Sequence, residues 1–329
     1  MSSWSMAAVR LVEWHVKNAN APLILPVRST ESPEQAADRY LRNLSQNSGL
    51  MELFQGTTPY FETVKFKELS TRPGASDQRV LMQANRPGDY TSGSERVDQF
   101  RFYFERLGQK NYLLLINPTL GLSIREEREV FDQVYEKFGI YAGLGGDDVD
   151  PMLMKQENFH SVNTNTERDL AEIKLIRHFI QRGQKEKDSF KKSFYIGVCR
   201  ASQLASVALG YKLIQDIPFQ VGGQVAHKDD WHAVKLLPTT HNILKGTGGT
   251  DLVVNSLHHQ SVIYKPGGFL ELAALSPDGI VEATEFKNGR GALFQFHPEL
   301  MKNSLGFHIL SKVIQAKERT GAGQCAHLF

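Results

Sequence analysis

Between residues 80 and 209 the sequence alternates short apolar runs with longer amphipathic segments, and this alternation limits the fold more than any other feature. Short apolar runs followed by segments of helical periodicity are typical of βα units, whose strands pair in parallel. The pattern predicts strands over 80–83, 112–116, 140–144 and 194–198, and helices over 96–107, 125–138, 167–182 and 201–209. We therefore predict an α/β fold with a doubly wound, mostly parallel sheet.

The two ends of the chain differ from this central pattern. After Gly222 come shorter strands separated by Gly, Pro and Asn turns, which indicates an antiparallel addition to the sheet. These strands are predicted over 233–237, 252–254, 270–275, 281–286 and 292–296. One or two amphipathic helices are predicted over 33–54, and a linker over 70–78. We therefore predict a partly helical N-terminal extension of unknown function (1–75) and a main domain (76–329).

Charge and cysteine content narrow the function classes. Lys and Arg number 38 against 36 Asp and Glu, a formal net charge of +2, so nothing favours a nucleic-acid partner. The two cysteines, Cys199 and Cys325, are too few for a disulfide framework. The apolar runs are too short to span a membrane, and no signal-peptide pattern is present. We predict a cytoplasmic protein with no membrane partner and a disordered tail over 325–329.

Cys199 lies at the predicted junction of a buried strand and a helix. Gly197 and Ala201, two positions to either side, are small, as a sharp nucleophile elbow requires. Such a turn places the sulfur at a helix N-terminus, where the helix dipole and free N–H groups favour the nucleophilic thiolate. A buried structural cysteine is the alternative, and this motif alone leaves both interpretations open.

His297 is the candidate base among eleven histidines. An apolar segment, 292–296, precedes it directly, and Pro298 stiffens the turn that follows. The carboxylate of Glu299 is then within reach of the far ring nitrogen, as in a catalytic triad. Taken alone, the His-Pro-Glu string is more typical of a loop histidine without a catalytic role, and it becomes specific only together with the upstream cysteine elbow.

Several strings, in the order in which they occur, carry a resemblance to a known family. They are Gly145-Gly146-Asp147-Asp148-Val149-Asp150-Pro151, Arg168-Asp169 with Glu172, Gly197-Val198-Cys199-Arg200 with Gln203, Gln215-Asp216-Ile217, Asn255-Ser256-Leu257-His258-His259-Gln260, Asp278-Gly279 with Glu282, and Phe296-His297-Pro298-Glu299. From about residue 80 to 313 the chain resembles the class I glutamine amidotransferase-type hydrolases, in particular the γ-glutamyl-γ-aminobutyrate hydrolase branch. The resemblance implies a flavodoxin-like fold.

The resemblance also implies roles for individual residues. Cys199 is the expected nucleophile, His297 the base and acid, and Glu299 the carboxylate that orients His297. The backbone N–H groups of Gly146 and Arg200 are the expected oxyanion hole, which needs donors aimed at the developing oxyanion. The candidate substrate contacts are Gln203, Ser256, His259 and Gln260. For His258 and His259, a structural role in hydrogen bonding to neighbouring loops is an alternative of equal weight to a contact with substrate.

Two residues depart from the family pattern. Ala201 stands where the family has a glycine after the nucleophile, and Leu144 replaces a proline that commonly precedes the glycine pair. Both border the expected oxyanion hole, where a misplacement of about 1 Å costs roughly a hundredfold in rate. We therefore expect that Ala201 and Leu144 weaken or alter the activity by shifting the oxyanion hole.

No metal site and no cofactor are predicted. The histidines at 227, 232, 258 and 259 have neither a supporting cysteine nor the regular ligand spacing of a zinc site. The acidic loop 147–150 lacks the ligand pattern of a calcium site. The expected chemistry needs only the protein's own side chains.

Three functions are weighed. The leading hypothesis is a free-standing hydrolase in which Cys199 forms a γ-glutamyl thioester that water cleaves. The near alternative is a glutaminase component that passes ammonia to a synthetase. The synthetase would have to be a separate protein, because this chain has no phosphate-binding loop of its own. A non-catalytic binding protein that retains the fold is the third, and the intact triad argues against it. The partner hypotheses are a small γ-glutamyl substrate, a homodimer, and a protein bound through residues 1–75.

Overall fold

The structure of the chain is a computed structural model that describes residues 7–69, 79–186, 193–241, 243–244, 247 and 250–321. The predicted linker and the predicted disordered tail lie outside these residues. The strands are β1 (Val9–Val16), β2 (Leu23–Arg28), β3 (Thr63–Glu68), β4 (Arg79–Gln83), β5 (Lys110–Leu114), β6 (Ile140–Gly143), β7 (Phe194–Val198), β8 (Lys212–Ile214), β9 (Lys228–Leu236), β10 (Asp251–Leu257), β11 (Ser261–Ile263), β12 (Leu270–Leu275), β13 (Val281–Phe286) and β14 (Gly291–Phe294). The helices are α1 (Pro33–Gln46), α2 (Ser48–Leu53), α3 (Glu95–Arg106), α4 (Ile124–Lys137), α5 (Thr166–Lys185), α6 (Arg200–Ala208), α7 (Ile217–Gln220) and α8 (Ser304–Gly321).

Twelve of these strands form one sheet, in the order β10-β9-β12-β13-β14-β7-β6-β4-β5-β2-β1-β3. The centre of the sheet, from β14 to β2, is parallel. The strands β10, β9, β12 and β13 extend it in antiparallel fashion on one side, and β1 and β3 on the other. The strands β8 and β11 pair separately. The predicted α/β fold, with a parallel sheet and an antiparallel addition, is confirmed.

Helices cover both faces of the sheet, as a doubly wound fold requires. On one face α1 and α3 contribute Tyr40 and Phe100 to a continuous apolar core, together with residues of α8. On the other face α5 and α6 contribute Ile176 and Leu204 to a second core, together with residues of α4. The central strands are therefore buried on both sides, which explains why they consist mainly of apolar residues.

Local sequence signals determine where several helices begin. At the start of α4, Ser123 Oγ accepts a hydrogen bond from the Glu126 N–H, and the Glu126 carboxylate accepts one from the Ser123 N–H at 2.7 Å. Ser32 and Gln35 form the same reciprocal capping box at the start of α1.

Among the described residues, no helix combines the length and the apolar character that crossing a membrane requires.

Residues 9–68 contribute three strands that the sequence analysis did not predict. The strand β2 pairs in parallel with β5 at Leu23 and Ile24, and β1 pairs along the other side of β2. Proline seldom lies within a central strand, and Pro26 lies beyond the part of β2 that pairs with β5. The helices α1 and α2 occupy the stretch 33–54. Both predicted units thus share one sheet, and the division of the chain near residue 76 stays a prediction.

The N-terminal strands are expected to contribute to global stability. Leu25 in β2 is 0% exposed, so Leu25→Ala removes buried methyl groups and leaves a cavity. We expect the free energy of unfolding to fall by about 2–5 kcal/mol, as measured by urea unfolding. Lys65→Ala, on the exposed strand β3, is the control and should change it by less than about 0.5 kcal/mol. Similar small changes for both variants would show that these strands unfold separately from the rest of the sheet.

Candidate active site

Cys199 occupies the turn between β7 and α6. Its backbone has φ 51° and ψ −112°, a strained combination for a residue that carries a side chain. Gly197 permits the turn, because a Cβ there would lie 2.9 Å from the carbonyl oxygen of Ala201 and 2.9 Å from the Leu293 side chain. The Cys199 side chain is held at the N-terminus of α6 and is buried. This local geometry is that of a nucleophile elbow.

The two departures from the family pattern are accommodated by neighbouring residues. A Cβ at Gly143, the last residue of β6, would lie 2.5 Å from the Cβ of Ala201, so only one of these positions has room for a side chain. Leu144 is fully buried. Its carbonyl oxygen and that of Gly145 accept hydrogen bonds from Asn85 Nδ2, at 3.2 and 3.0 Å. The Asn85 side chain thus holds the loop that contains Leu144.

His297 and Glu299 lie at the carboxyl end of β14, around a short 3-10 turn. His297 Nδ1 is 2.7 Å from Glu299 Oε1, and both side chains are buried. The ring lies close enough to the elbow for the Cys199 side chain to affect the pKa of His297. Both also border Gly145, where a Cβ would lie 2.7 Å from His297 Cε1 and 3.5 Å from Cys199 Cβ. The structure therefore brings the three predicted catalytic residues together.

The electrostatics of the site favour a protonated His297. Burial opposes the charged ring, but the negative charges of Glu299 and Cys199 and the hydrogen bond to Glu299 outweigh it and raise the pKa of His297 to about 10. A charged imidazole beside a cysteine stabilises the thiolate. The arrangement thus fits the predicted roles of Cys199 as a nucleophile and of His297 as a proton donor to a leaving group.

Asn255 holds the backbone of His297, a role that the sequence did not reveal. Asn255 Nδ2 donates to the His297 carbonyl oxygen at 3.0 Å, and Asn255 Oδ1 accepts from the His297 N–H at 3.0 Å. Asn255 is a buried residue of β10, so its side chain links the antiparallel addition to the triad. The signal in the sequence was the position of Asn255 at the start of one of the strings that carry the family resemblance.

The loop after β6 brings Gly146 next to Arg200, the first residue of α6. A Cβ at Gly146 would lie 2.9 Å from Arg200 Cδ and 2.9 Å from Asn85 Oδ1, so only glycine lets the loop pass so close. The first N–H groups of an α-helix have no partner within the helix. The positions of Gly146 and Arg200 fit an oxyanion hole, and that role stays a prediction.

The Arg200 side chain takes part in a buried ion-pair cluster. Arg200 donates to Asp169 at 2.6 Å and to Glu172 at 2.8 Å, both on α5. Asp169 also accepts a hydrogen bond from the Asp150 N–H at 2.8 Å. The cluster therefore joins α5, the start of α6 and the loop that follows the glycine pair.

Three of the candidate substrate contacts are buried among other protein groups. Gln203 donates to the Gln260 carbonyl oxygen and to Gln295 Oε1, both at 3.3 Å. Gln260 Nε2 donates to the Gln215 carbonyl oxygen at 3.0 Å. Ser256 is fully buried, and its Oγ has no hydrogen-bond partner among the described residues. The hydrogen bonds of Gln203 and Gln260 hold loops together. A contact with substrate stays a prediction for all three residues.

His259, the fourth candidate, bridges two loops. His259 Nε2 is 3.0 Å from the Asp148 carboxylate, and His259 Nδ1 is 3.2 Å from that of Asp216. The hydrogen bond to Asp148 raises the pKa of His259, aided by the charges of both carboxylates and opposed by burial. A charged His259 therefore ties Asp148, two residues beyond Gly146, to the segment after β8. With a side chain 29% exposed, it is also the most exposed of the four candidates.

A second group of polar side chains converges away from the triad. It consists of His227, His232, His258 and Glu282. The sequence analysis set these histidines aside as zinc ligands because their spacing is irregular. The fold nevertheless brings them together, and among the described residues this group has the donor atoms to hold a metal ion.

Glu299→Gln is expected to change how stability depends on pH. The pKa of His297 is about 10 in the folded protein against an ordinary value of 6.5, so the stabilisation that this proton provides is complete below about pH 6.5 and is lost as the pH rises to about 10. The amide removes the charge that holds the proton. The free energy of unfolding of the wild type minus that of the variant should therefore shrink between pH 7 and pH 10, as measured by urea unfolding.

Glu271→Gln, a change at an exposed carboxylate that accepts hydrogen bonds from Thr240, is the control. Its difference from the wild type should be constant over this range, because the Glu271 carboxyl is ionised throughout it. A constant difference for Glu299→Gln as well would contradict a charged His297.

Comparison with known proteins places this geometry in a family. The family model described as Peptidase C26 matches residues 118–299, more than half of the chain. Protein NtpR of Enterococcus hirae is 33% identical over 172 residues, which are 49% of this chain and 66% of that protein. The glutamine amidotransferase-like protein YvdE of Lactococcus lactis is 33% identical over 161 residues, 47% of this chain and 63% of that protein. The chain thus spans less than two thirds of the length of either relative.

Among solved structures, a glutamine amidotransferase from Thermotoga maritima has a TM-score of 0.46 at 13% identity, over 74% of this chain and 83% of that one. A glutamine amido transferase from Methylobacillus flagellatus has a TM-score of 0.44 at 14% identity, over 77% of this chain and 94% of that one. The family match is the stronger finding, since it contains the glycine pair, the cysteine elbow and the His-Pro-Glu turn in order. This chain belongs to the Peptidase C26 family of class I glutamine amidotransferase-like proteins.

Proposed function

We propose that this protein is a cysteine hydrolase that cleaves the amide bond of a γ-glutamyl compound. The observation that carries the proposal is the convergence of Cys199, at a strained elbow, with the buried pair His297 and Glu299 from a distant part of the chain. Membership of the Peptidase C26 family supports an amide-cleaving enzyme. The name of one relative, glutamine amidotransferase-like, supports a γ-glutamyl substrate, because glutamine is the γ-amide of glutamate.

In the proposed reaction the Cys199 thiolate attacks the γ-carbonyl carbon, and the N–H groups of Gly146 and Arg200 stabilise the oxyanion. His297 gives its proton to the leaving nitrogen as the C–N bond breaks, which releases the amine and leaves a γ-glutamyl thioester on Cys199. A water molecule that gives a proton to His297 then cleaves the thioester and releases glutamate. Glu299 keeps the imidazole oriented through both steps.

A groove of about 930 Å³ reaches the loop that carries the glycine pair and offers room for the amine part of the substrate. It is lined by Asp147, which directly follows Gly146, by Arg86, and by residues between 52 and 60. Arg86 and Asp147 pair at 2.5 Å in its wall. Binding sites for small molecules commonly have volumes of about 300–1,000 Å³. We assign the choice of amine to this groove, and thereby part of it to the N-terminal segment.

Amine release from γ-glutamyl-GABA, glutamine and folate polyglutamate, by the wild type and by Cys199→Ala, tests the proposal. We expect the wild type to turn over at least one of these compounds, and the variant to lose at least about a thousandfold in kcat because no thioester can form. Cys325→Ala, which removes the chain's other cysteine, is the matched control and should keep full activity.

The other outcomes separate the remaining hypotheses. Ammonia release from glutamine only after a synthetase is added would indicate a glutaminase component instead. No turnover by folded wild-type protein would contradict the proposed hydrolase and leave a non-catalytic binding protein. Equal turnover by Cys199→Ala would contradict the proposed role of Cys199 as the nucleophile. A homodimer and a protein partner bound through residues 1–75 stay predictions.

Asn255→Ala tests how His297 is positioned. The variant loses both hydrogen bonds to the His297 backbone, and a misplaced base slows the chemical step more than substrate binding. We expect kcat to fall by about 10–100-fold and KM to stay within about twofold, measured on a compound that the wild type turns over. Asn288→Ala, in an exposed turn, is the control. An unchanged kcat for folded Asn255→Ala would show that other contacts suffice to hold His297.

A further inference from the structure

Three histidines and one glutamate from separate segments meet within the antiparallel addition. His227 directly precedes β9, His232 lies in β9, His258 follows β10, and Glu282 lies in β13. Each is at least nine-tenths buried. One nitrogen or oxygen atom from each lies within 4.8 Å of the corresponding atoms of the others. None of the four belongs to the catalytic triad.

The atoms that face one another in this cluster are not joined by hydrogen bonds. Glu282 Oε1 is 3.3 Å from His227 Nδ1, 3.4 Å from His232 Nε2 and 3.5 Å from His258 Nε2. These contacts are longer than ordinary N–H···O bonds, and the three nitrogens and both carboxylate oxygens have no hydrogen-bond partner among the described residues. Buried polar atoms without partners are costly. A single group that contacts all of them removes that cost.

The outer nitrogen of each histidine is anchored. His227 Nε2 is 3.1 Å from the Asp278 carboxylate. His232 Nδ1 and His258 Nδ1 are each 3.1 Å from a backbone carbonyl oxygen, of residues 233 and 260 respectively. Such bonds place the hydrogen of a neutral imidazole on the outer nitrogen and turn the lone pair of the other nitrogen inward. Metal-binding histidines are oriented in this way.

We propose that His227, His232, His258 and Glu282 bind one Zn²⁺ ion in tetrahedral coordination. Zinc binds imidazole nitrogens and carboxylate oxygens at about 2.0–2.2 Å, so that the ligand atoms of a tetrahedron lie about 3.3–3.6 Å apart. The separations of the three histidine nitrogens from Glu282 Oε1, from 3.3 to 3.5 Å, match these edges. All four ligand atoms lie within 4.8 Å of one another, so the histidine nitrogens move closer together when the ion binds.

The ligand set selects zinc and a structural role. Calcium and magnesium ions take oxygen ligands, whereas imidazole nitrogens with one carboxylate suit zinc. The charges balance, because Glu282 and Asp278 together neutralise the two positive charges of the ion. All four coordination positions are filled by protein, which is typical of structural zinc rather than of a zinc ion that activates water.

The position of the cluster shows what the ion stabilises. The strand β9 pairs with β12 through only two residues, Lys235 and Leu236, and β10 lies at the outer edge of the sheet. The proposed ion connects β9, the end of β10 and β13. Asn255, three residues before His258, is on β10 and holds the backbone of His297. The zinc ion therefore supports the strand that positions the catalytic histidine.

A buried ion pair is the other way to satisfy Glu282. One protonated histidine would then face the carboxylate, and the inward nitrogens of the other two would still lack a partner. A bound cation accounts for all three nitrogens at once. Metal content separates the two explanations.

The test is the zinc content of the full chain, expressed with added zinc, desalted into metal-free buffer and analysed by inductively coupled plasma mass spectrometry. We expect about one zinc per chain in the wild type and less than about 0.1 in His232→Gln and Glu282→Gln, because a site that loses one of four ligands binds far more weakly. His178→Gln is the matched control and should retain zinc, since His178 also pairs with a carboxylate, that of Asp132 at 2.9 Å, but outside the cluster.

A second measurement needs no variant. Removal of zinc from the wild type with dipicolinate should lower Tm by at least about 5 °C, and added Zn²⁺ should restore it, because an ion that binds only the folded chain stabilises it. Folded wild-type protein with less than about 0.1 zinc per chain, or equal zinc in wild type and His232→Gln, would overturn the proposal. Neither readout depends on hydrolysis, so the result is independent of the proposed function.

Discussion

The in-register parallel pairing of β7 with β14 is the constraint on which the candidate active site depends. Val198 pairs with Phe294, and the Cys199 N–H donates to the Phe294 carbonyl oxygen at 2.7 Å, so that Cys199 and His297 leave the sheet at the same edge. A slip of one residue would turn each strand's side chains to the opposite face. The strand β6 pairs with the other side of β7, and the loop that follows it carries Gly146 to the same point. Parallel strands collect functional groups at their carboxyl ends in this way.

The centre of the fold and the elbow could be predicted because their signals are local. A glycine two residues before a cysteine, at the end of an apolar run and the start of a helix, specifies the turn without reference to the rest of the chain. The predicted strand 194–198 coincides with β7, and the predicted strands 80–83 and 140–144 agree with β4 and β6 to within one residue. What could not be predicted depends on contacts between distant segments: the pairing of β1 and β2, the hydrogen bonds of Asn255, and the approach of three unevenly spaced histidines.

Ala201, one of the two residues that depart from the predicted pattern, also shows that contacts between distant segments could not be predicted from the sequence. Ala201 in the sequence suggests crowding at the elbow, because its methyl group replaces a hydrogen. The structure shows that the methyl occupies space left free by Gly143 on the neighbouring strand, where a Cβ would lie 2.5 Å away. The two positions share one volume, so neither can be interpreted alone. Their sequence separation hides this complementarity, and the pairing of β6 with β7 produces it.

The antiparallel addition therefore helps to hold the candidate active site of the parallel centre. His297 is held from two directions: Glu299 orients its ring from the same turn, and Asn255 holds its backbone from β10. The Glu299 carboxylate is only two residues from His297 and moves with it. Asn255, in contrast, keeps its hydrogen bonds to His297 only while β10 stays paired in the sheet. An edge strand opens at lower cost than a central one, and β10 is the outermost strand on its side. A buried cluster that ties β9, β10 and β13 together just beyond Asn255 lies where it opposes that opening most directly.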